Sequence, residues 1–291
     1  MLMPMNDKTI NEKPVFIDLR KVFKDKNPGL ARYIPGFVYG YLNHALHIGE
    51  INGFLKLHGK KIGLDFAEAV IKDFNVTVSL KGEKNLPESG RFIFVSNHPL
   101  GGFDGMLLLT VLSKKYHDVR SLSNDILMNF ENLKPLFIPV NKHGSMSHES
   151  AQILNEALSS DIQILSFPSG LVSRRTKGKI EDTVWKKSFV TKAVQYKRDI
   201  VPIHVTGRCT NFFYNLSNFR KFLGIKSNIE MFYLSDETYK HRNEHITITF
   251  GTPVSYAYFD KSKRPEDWAK SLKKYVYSLG EGNIKPFDGT Y

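Results

Sequence analysis

The chain has 291 residues, of which 41% are hydrophobic and 24% are charged, so it is long enough to bury a full globular core. Its 41 Lys and Arg outnumber its 29 Asp and Glu, and the net charge of +12 favours an acidic partner such as nucleic acid, an anionic lipid surface or an acidic carrier protein. The only cysteine, Cys209, excludes an intrachain disulfide and indicates a reducing compartment.

Two features of the sequence concern membranes. The longest apolar run, Met106–Leu112, is far shorter than the ~20 residues that a membrane-spanning helix needs. Residues 1–14 are polar and lack the basic and then apolar pattern of a signal peptide. We therefore expect a cytoplasmic protein that would reach any lipid substrate from the membrane surface.

Residues 1–74 are predicted to form an N-terminal helical region. Apolar residues recur at helical spacing from Phe37 to about Leu55, and a second helix is expected from Gly63 to Phe74. The aromatic side chains of these helices either cover the core or form a face toward a membrane. Core cover is the default role of an apolar helical stripe.

From residue 75 to residue 291, strands alternate with helices. The expected strands are 76–80, 92–96, 136–140, 162–167, 200–205 and 246–250, and the expected helices are 105–116, 147–158, 188–196 and 264–279. This alternation predicts an α/β fold, with a mostly parallel sheet flanked by helices and with the N-terminal helical segment added to it. Catalytic groups in such folds gather at the carboxyl edge of the strands.

One histidine and one aspartate stand at such an edge. His98 and Asp104 flank a Gly-Gly pair between the expected strand 92–96 and the expected helix 105–116. A carboxylate that holds one ring nitrogen of a histidine leaves the other nitrogen free to take a proton from a hydroxyl. Alternatively, Asp104 caps the helix and His98 is an ordinary loop histidine.

Three further loops follow expected strand ends. The first segment ends in Asn141 and Lys142, and the second runs from Phe167 to Lys177. The third follows the expected strand 200–205, which itself carries Pro202. Each has a purely structural interpretation. Prolines stand at sheet edges or bulges, Ser-Gly pairs form plain turns, and runs of basic residues usually face solvent.

In their order and spacing, the blocks at 97–104, 136–142, 167–174 and 201–203 resemble the glycerolipid acyltransferase family, the lysophosphatidic acid acyltransferase-like group. That family carries Asn-His…Asp, a Phe-Ile block ending in a basic residue, Phe-Pro-Glu-Gly-Thr-Arg-Ser, and a Val-Pro-Ile strand. The resemblance covers roughly residues 75–255, and it implies that 75–291 is an acyltransferase domain.

The chain departs from the family pattern at two places. Five residues separate His98 from Asp104 where the family has four, and the glycine pair is able to absorb the extra residue. Ser169 replaces the Glu of the third block, and Leu171 replaces its Thr. These features most resemble a bacterial branch labelled hemolysin, which includes O-acyltransferases of ornithine and glycine aminolipids. The acceptor implied is a lyso-aminolipid or lysophosphatidic acid.

The resemblance also implies roles for single residues. His98 is the general base that deprotonates the acceptor hydroxyl, and Asp104 holds its ring. The implied substrate-binding residues are Asn97, Lys142, Pro168, Ser169, Gly170, Arg174 and Arg175. No metal or bound cofactor is expected. The co-substrate is an acyl thioester of acyl carrier protein or coenzyme A, and the enzyme is expected to lie peripherally on the inner face of the cytoplasmic membrane.

Two other classes of function remain open from the sequence. A lipid hydrolase would use Ser169 as its nucleophile, but the Gly-x-Ser-x-Gly elbow is missing there. A non-enzymatic, hemolysin-like lipid-binding protein would use the basic charge and the aromatic helices. No nucleic-acid-binding motif is present, so we expect no nucleic acid partner.

Overall fold

The computed structural model describes residues 16–26, 28–123, 128, 130–140 and 147–291. The strands of these residues are, in chain order, β1 (Thr77–Lys81), β2 (Phe92–Ser96), β3 (Val119–Ser123), β4 (Phe137–Pro139), β5 (Gln163–Ser166), β6 (Arg174–Thr176), β7 (Lys179–Glu181), β8 (Asp199–Val205) and β9 (His245–Phe250). The helices are α1 (Leu19–Lys26), α2 (Pro28–Tyr33), α3 (Gly36–Ala45), α4 (Ile48–His58), α5 (Gly63–Asp73), α6 (Gly102–Leu112), α7 (His148–Ser159), α8 (Ser188–Tyr196), α9 (Asn211–Phe222), α10 (Leu234–Lys240) and α11 (Pro265–Gly280).

The central sheet has the strand order β1-β9-β8-β2-β5-β3-β4. All of its neighbouring strands are parallel except β8 and β9, which are antiparallel. Strands β6 and β7 form a separate antiparallel hairpin. The predicted α/β fold with a mostly parallel sheet is therefore confirmed.

Side-chain alternation along the strands builds a core on each face of the sheet. On one face, Phe94 of β2 packs with residues of α5 and α6, such as Phe66 and Leu108. On the other face, Val95 of β2 packs with residues of α7, α8 and α11. Because β8, β2 and β5 are neighbouring parallel strands, their carboxyl ends lie side by side at one edge of the sheet, where polar loops leave them.

The N-terminal helices differ from the prediction at one point. The single helix expected from Phe37 to Leu55 is two helices, α3 and α4, which meet at His47 in a left-handed conformation with φ of 54°. The His47 ring stacks on Tyr239 at 4.2 Å, and its Nε2 atom lies 3.1 Å from a carboxylate oxygen of Asp236. The break between α3 and α4 thus involves partners that lie 189 or more residues further along the chain, and no local sequence pattern reveals them.

Helix α5 lies before the predicted domain boundary at residues 74 and 75, yet it contributes to the main core. Phe66, Val70 and Phe74 pack in the same cluster as the sheet, whereas Leu19, Tyr39 and Ile48 form a small cluster of their own. The boundary itself stays a prediction. Across the described residues, no helix combines the length and the apolar character that crossing a bilayer requires.

Candidate active site

The loop from β2 to α6 brings His98 and Asp104 together. Helix α6 begins at Gly102, earlier than predicted, so Asp104 lies in its first turn. Gly101 precedes the helix with φ of 72°, in the left-handed region that favours glycine, and a Cβ there would lie 3.3 Å from Leu234 and from Val172. This sharp turn folds the loop back, so that both side chains point to the same place.

The His98 ring is held by the Asp104 carboxylate. Nδ1 of His98 lies 3.0 Å from Oδ2 of Asp104, and the same oxygen accepts the backbone N–H of Leu100 at 2.8 Å. Asp104 therefore fixes both the ring and the loop that carries it. The helix-cap interpretation is incomplete, because the carboxylate contacts the histidine as well as the backbone.

The other side of the His98 ring is available to a substrate. Its Nε2 atom has no hydrogen-bond partner among the residues that the structure describes. The side chain is 17% exposed, and the ring stacks on Phe167 at 4.3 Å between centroids. The Asp104 carboxylate at Nδ1 and the stacked ring of Phe167 thus orient the His98 ring, while its Nε2 atom stays accessible.

Burial sets the electrostatics of Asp104. The residue is fully buried, and its Oδ1 atom has no hydrogen-bond partner within the described part of the chain. Burial raises the pKa of the Asp104 carboxyl above its ordinary value, and the hydrogen bonds from His98 and Leu100 oppose that rise. A positive charge on the His98 ring would compensate the charge of the buried carboxylate.

Asp182 is a buried residue of this site that the sequence analysis missed. Its Oδ1 atom accepts the backbone N–H of His98 at 3.1 Å and the hydroxyl of Ser173 at 2.7 Å, and its Oδ2 atom accepts the indole N–H of Trp185 at 2.9 Å. The backbone N–H of Ser173 also donates to the His98 carbonyl at 2.8 Å. Asp182 therefore ties the histidine loop to the segment that follows β5. It stands in no recognisable motif.

Asn97 has a structural position rather than the predicted contact with substrate. Its side-chain amide donates to the carbonyl of Val205 and accepts the N–H of the same residue, both at 2.8 Å. The side chain is buried, so it links the ends of β2 and β8 beneath His98.

The Pro168-Ser169-Gly170 turn lies beside His98, because Phe167 just before it stacks on the ring. Pro168 and Ser169 are buried, and Gly170 is exposed with φ of 61°. The Ser169 hydroxyl donates to the carbonyl of Leu171 at 2.7 Å. No described contact joins this hydroxyl to a base, so the geometry gives no support to a serine nucleophile.

Arg174 differs most from the expectation. Its guanidinium is buried, pairs with Glu230 at 3.0 Å and donates to the Val172 carbonyl at 2.7 Å. Glu230 is also paired with Arg220 at 2.5 Å. Burial raises the pKa of Glu230, but the hydrogen bond from Arg220 and the two positive charges outweigh it and hold that pKa below its usual value. Arg174 thus belongs to a buried ion-pair network and not to an open anion site.

The other two predicted cations have different outcomes. Arg175 is partly exposed on β6, and its guanidinium donates to the side chains of Asn211 and Asn215 on α9. Lys142 lies outside the described residues, so its predicted contact with substrate stays a prediction.

Comparison with known families decides the class of protein. The family model described as Acyltransferase matches residues 21–281. The chain belongs to this acyltransferase family. The resemblance predicted from the four sequence blocks is thereby confirmed, and the match extends into the N-terminal helices.

Two curated relatives support the same assignment for this acyltransferase. The lyso-glycine lipid O-acyltransferase of Phocaeicola vulgatus is 47% identical over 273 residues, which cover 94% of this chain and 98% of the relative. The lyso-glycine lipid O-acyltransferase of Bacteroides thetaiotaomicron is 47% identical over 264 residues, which cover 90% of this chain and 97% of the relative. The chain is an O-acyltransferase.

Among solved structures, the acyltransferase is similar to the 1-acyl-sn-glycerophosphate (LPA) acyltransferase PlsC from Thermotoga maritima. The identity is 17%, the TM-score is 0.44, and the match covers 90% of this chain and 98% of that chain. A likeness this distant carries no argument about the substrate.

Proposed function

We propose that this acyltransferase moves a fatty acyl chain from an acyl thioester to the hydroxyl of a lyso-lipid. The observation that carries the proposal is the 3.0 Å contact between Nδ1 of His98 and Oδ2 of Asp104, at a ring whose side chain is partly exposed. A histidine held in this way is built to accept a proton from a hydroxyl.

The reaction needs one base and no protein nucleophile. Nε2 of His98 takes the hydroxyl proton of the acceptor while the acceptor oxygen attacks the thioester carbonyl. The new C–O bond forms, the C–S bond breaks, and the proton passes from the imidazolium to the leaving thiolate. Asp104 holds the Nδ1–H tautomer and stabilises the imidazolium between these two proton transfers. An acyl-enzyme is not formed on this route.

Lyso-glycine lipid is the acceptor that we propose first, because both relatives at 47% identity carry that name. Lysophosphatidic acid is the second candidate. For the donor we propose acyl carrier protein or coenzyme A, since both are acidic and the chain has a net charge of +12. The product would enter the membrane lipids, and we place the enzyme peripherally on the inner face of the cytoplasmic membrane.

A single assay tests the proposal and separates it from its rivals. The purified chain is incubated with acyl-coenzyme A or with acyl-acyl carrier protein, with and without each lyso-lipid, and free thiol and lipid products are measured. A transferase releases thiol only with the acceptor and forms an equal amount of acylated lipid. Thiol release without the acceptor would identify a hydrolase, and no release with any donor would leave a lipid-binding protein.

A further inference from the structure

Helix α9 presents a row of large apolar side chains to solvent. We call the following set, on α9 and the turn after it, the α9 surface: Phe212, Phe219, Phe222, Leu223 and Ile225. Phe222 is 86% exposed and Phe219 is 58% exposed, although Phe is among the residue types most often fully buried. Exposed apolar patches of this kind mark interaction sites.

The α9 surface is surrounded by positive charge. Residues 200–229 contain no Asp or Glu, and the exposed Lys221 and Lys226 lie within the apolar row itself. The adjoining β6–β7 hairpin adds Arg175, whose guanidinium contacts the solvent side of α9 through Asn211 and Asn215. Phenylalanines interleaved with lysines are the pattern of a helix that lies in the interface of an anionic bilayer.

The buried side of α9 is fixed to the histidine loop. Phe213 and Tyr214 pack with Val172 and Cys209, and the thiol of Cys209 lies 3.5 Å from the Pro99 carbonyl. The far end of the helix is held by Arg220, which pairs with the buried Glu230. The exposed row therefore stands on a rigid helix whose position is coupled to that of His98.

Aromatic contacts join the α9 surface to the N-terminal helices. The hydroxyl of Tyr233 lies 2.6 Å from that of Tyr41 on α3, and the Tyr233 ring meets Phe212 edge-to-face at 5.0 Å. Phe37 on α3 is also largely exposed. Aromatic side chains of α3 and α9 thus meet at Tyr233.

We propose that the α9 surface is a membrane-docking element that inserts its phenylalanines into an anionic lipid bilayer and holds His98 close to the membrane. This inference deepens the proposed function and rests on it, because an enzyme that takes lyso-lipids from a bilayer gains from a docking face attached to its catalytic loop. From the sequence, the helices within residues 37–74 either cover the core or form a face toward a membrane, and the structure adds α9 as a candidate for such a face.

The test compares three double variants of the full chain. The first, Phe219→Ser with Phe222→Ser, removes exposed apolar surface, and the second, Lys221→Glu with Lys226→Glu, reverses charge. The matched control is Lys270→Glu with Lys274→Glu. It reverses two exposed lysines on α11, which packs in a different core cluster from α9, and changes the net charge by the same amount as the second variant. Thermal unfolding confirms that each variant is folded.

Co-sedimentation with phosphatidylglycerol vesicles is the first readout. We expect vesicle affinity to fall by more than about tenfold in both test variants and to change little in the control. The ratio of turnover on vesicle-embedded lyso-lipid to turnover on monomeric lyso-lipid should fall in parallel. Unchanged vesicle affinity in both test variants would overturn the proposal. So would light scattering that shows a wild-type dimer broken by the phenylalanine variant while vesicle binding persists.

The wild-type assay keeps the two proposals apart. Absence of turnover on both monomeric and vesicle-embedded lyso-lipid would contradict the proposed function. Normal turnover combined with undiminished vesicle binding by the test variants would contradict only the role of the α9 surface.

Discussion

Nδ1 of His98 lies 3.0 Å from Oδ2 of Asp104, although five residues stand between them where related sequences were expected to have four. Gly101 has a left-handed backbone, with φ of 72°, and α6 begins at Gly102. A loop with five intervening residues is thus compatible with the pairing of the two side chains.

Asp104→Asn is expected to lower turnover by about 10²–10⁴-fold with little change in KM, because the amide cannot stabilise the imidazolium that forms during proton transfer. Steady-state kinetics with a saturating thioester donor measure this. A variant with wild-type turnover would show that Asp104 serves only the backbone of Leu100.

The same substitution is expected to change the pH dependence of stability. Because the pKa of Asp104 is raised, the folded state holds its proton more tightly than the unfolded chain, and ionisation of Asp104 opposes folding. This destabilising contribution is absent below the ordinary pKa of 3.8 and complete above the raised pKa. Urea unfolding should show Asp104→Asn gaining stability over wild type as the pH rises from about 3.8 towards neutrality. A difference that shrinks over this range would contradict the assignment.

Asp182→Asn is expected to reduce both stability and turnover. The carboxylate of Asp182 now accepts three hydrogen bonds, and the amide of Asn would place an N–H group against at least one of these donors. Each buried donor left unpaired lowers the free energy of unfolding by about 1–3 kcal/mol. The His98 loop would lose its anchor, so kcat should fall more than KM rises. The exposed Asp161→Asn is the control. Full activity in a folded Asp182→Asn protein would remove Asp182 from the site.

Arg174→Met is expected to destabilise the fold by about 3 kcal/mol without raising KM, because the buried Glu230 loses one of its two arginine partners. Arg175→Met, next to it and partly exposed, should change stability by less than about 0.5 kcal/mol. Urea unfolding of the pair gives both values. A stable Arg174→Met enzyme with a strongly raised KM would restore the original prediction that Arg174 binds the substrate.

Gly280 and His204 are expected to be energetically coupled. A Cβ at Gly280 would lie 2.4 Å from Cε1 of the His204 ring, whose burial lowers its pKa to about 4 and keeps it neutral. Gly280→Ala should therefore cost about 1–3 kcal/mol despite the better helix propensity of alanine. In the His204→Ala background the same change should be neutral or stabilising. Equal costs in both backgrounds would mean that the ring moves aside freely.

The sequence predicted what depends on neighbouring residues. The strand before His98, the turn and the helix after Asp104 are close in the chain, so their hydrophobic pattern and glycines were enough to place the dyad at the edge of the sheet. The structure adds relationships between distant segments. Whether Arg174 faces solvent or a buried partner depends on Glu230, 56 residues away, and Asp182 reaches His98 from 84 residues away. A run of basic residues and a lone aspartate carry no sign of such partners.

Helix α9 was missed for a related reason. Its exposed side carries phenylalanines, and its buried side carries Ser217 and Arg220 beside Phe213 and Tyr214, so its pattern does not follow the usual apolar stripe. The buried Glu230 supplies the partner of both polar residues, because it accepts the Ser217 hydroxyl and pairs with Arg220.

The most direct test of the mechanism is acceptor-dependent thioester consumption by wild type and by His98→Ala. Removal of the general base should lower turnover by about 10²–10⁴-fold while the melting temperature stays close to that of wild type. Mass spectrometry of wild type with donor alone should show no acylated protein. Wild-type turnover in the His98→Ala variant, or an acyl-enzyme formed before the acceptor is added, would contradict His98 as the base of a direct transfer.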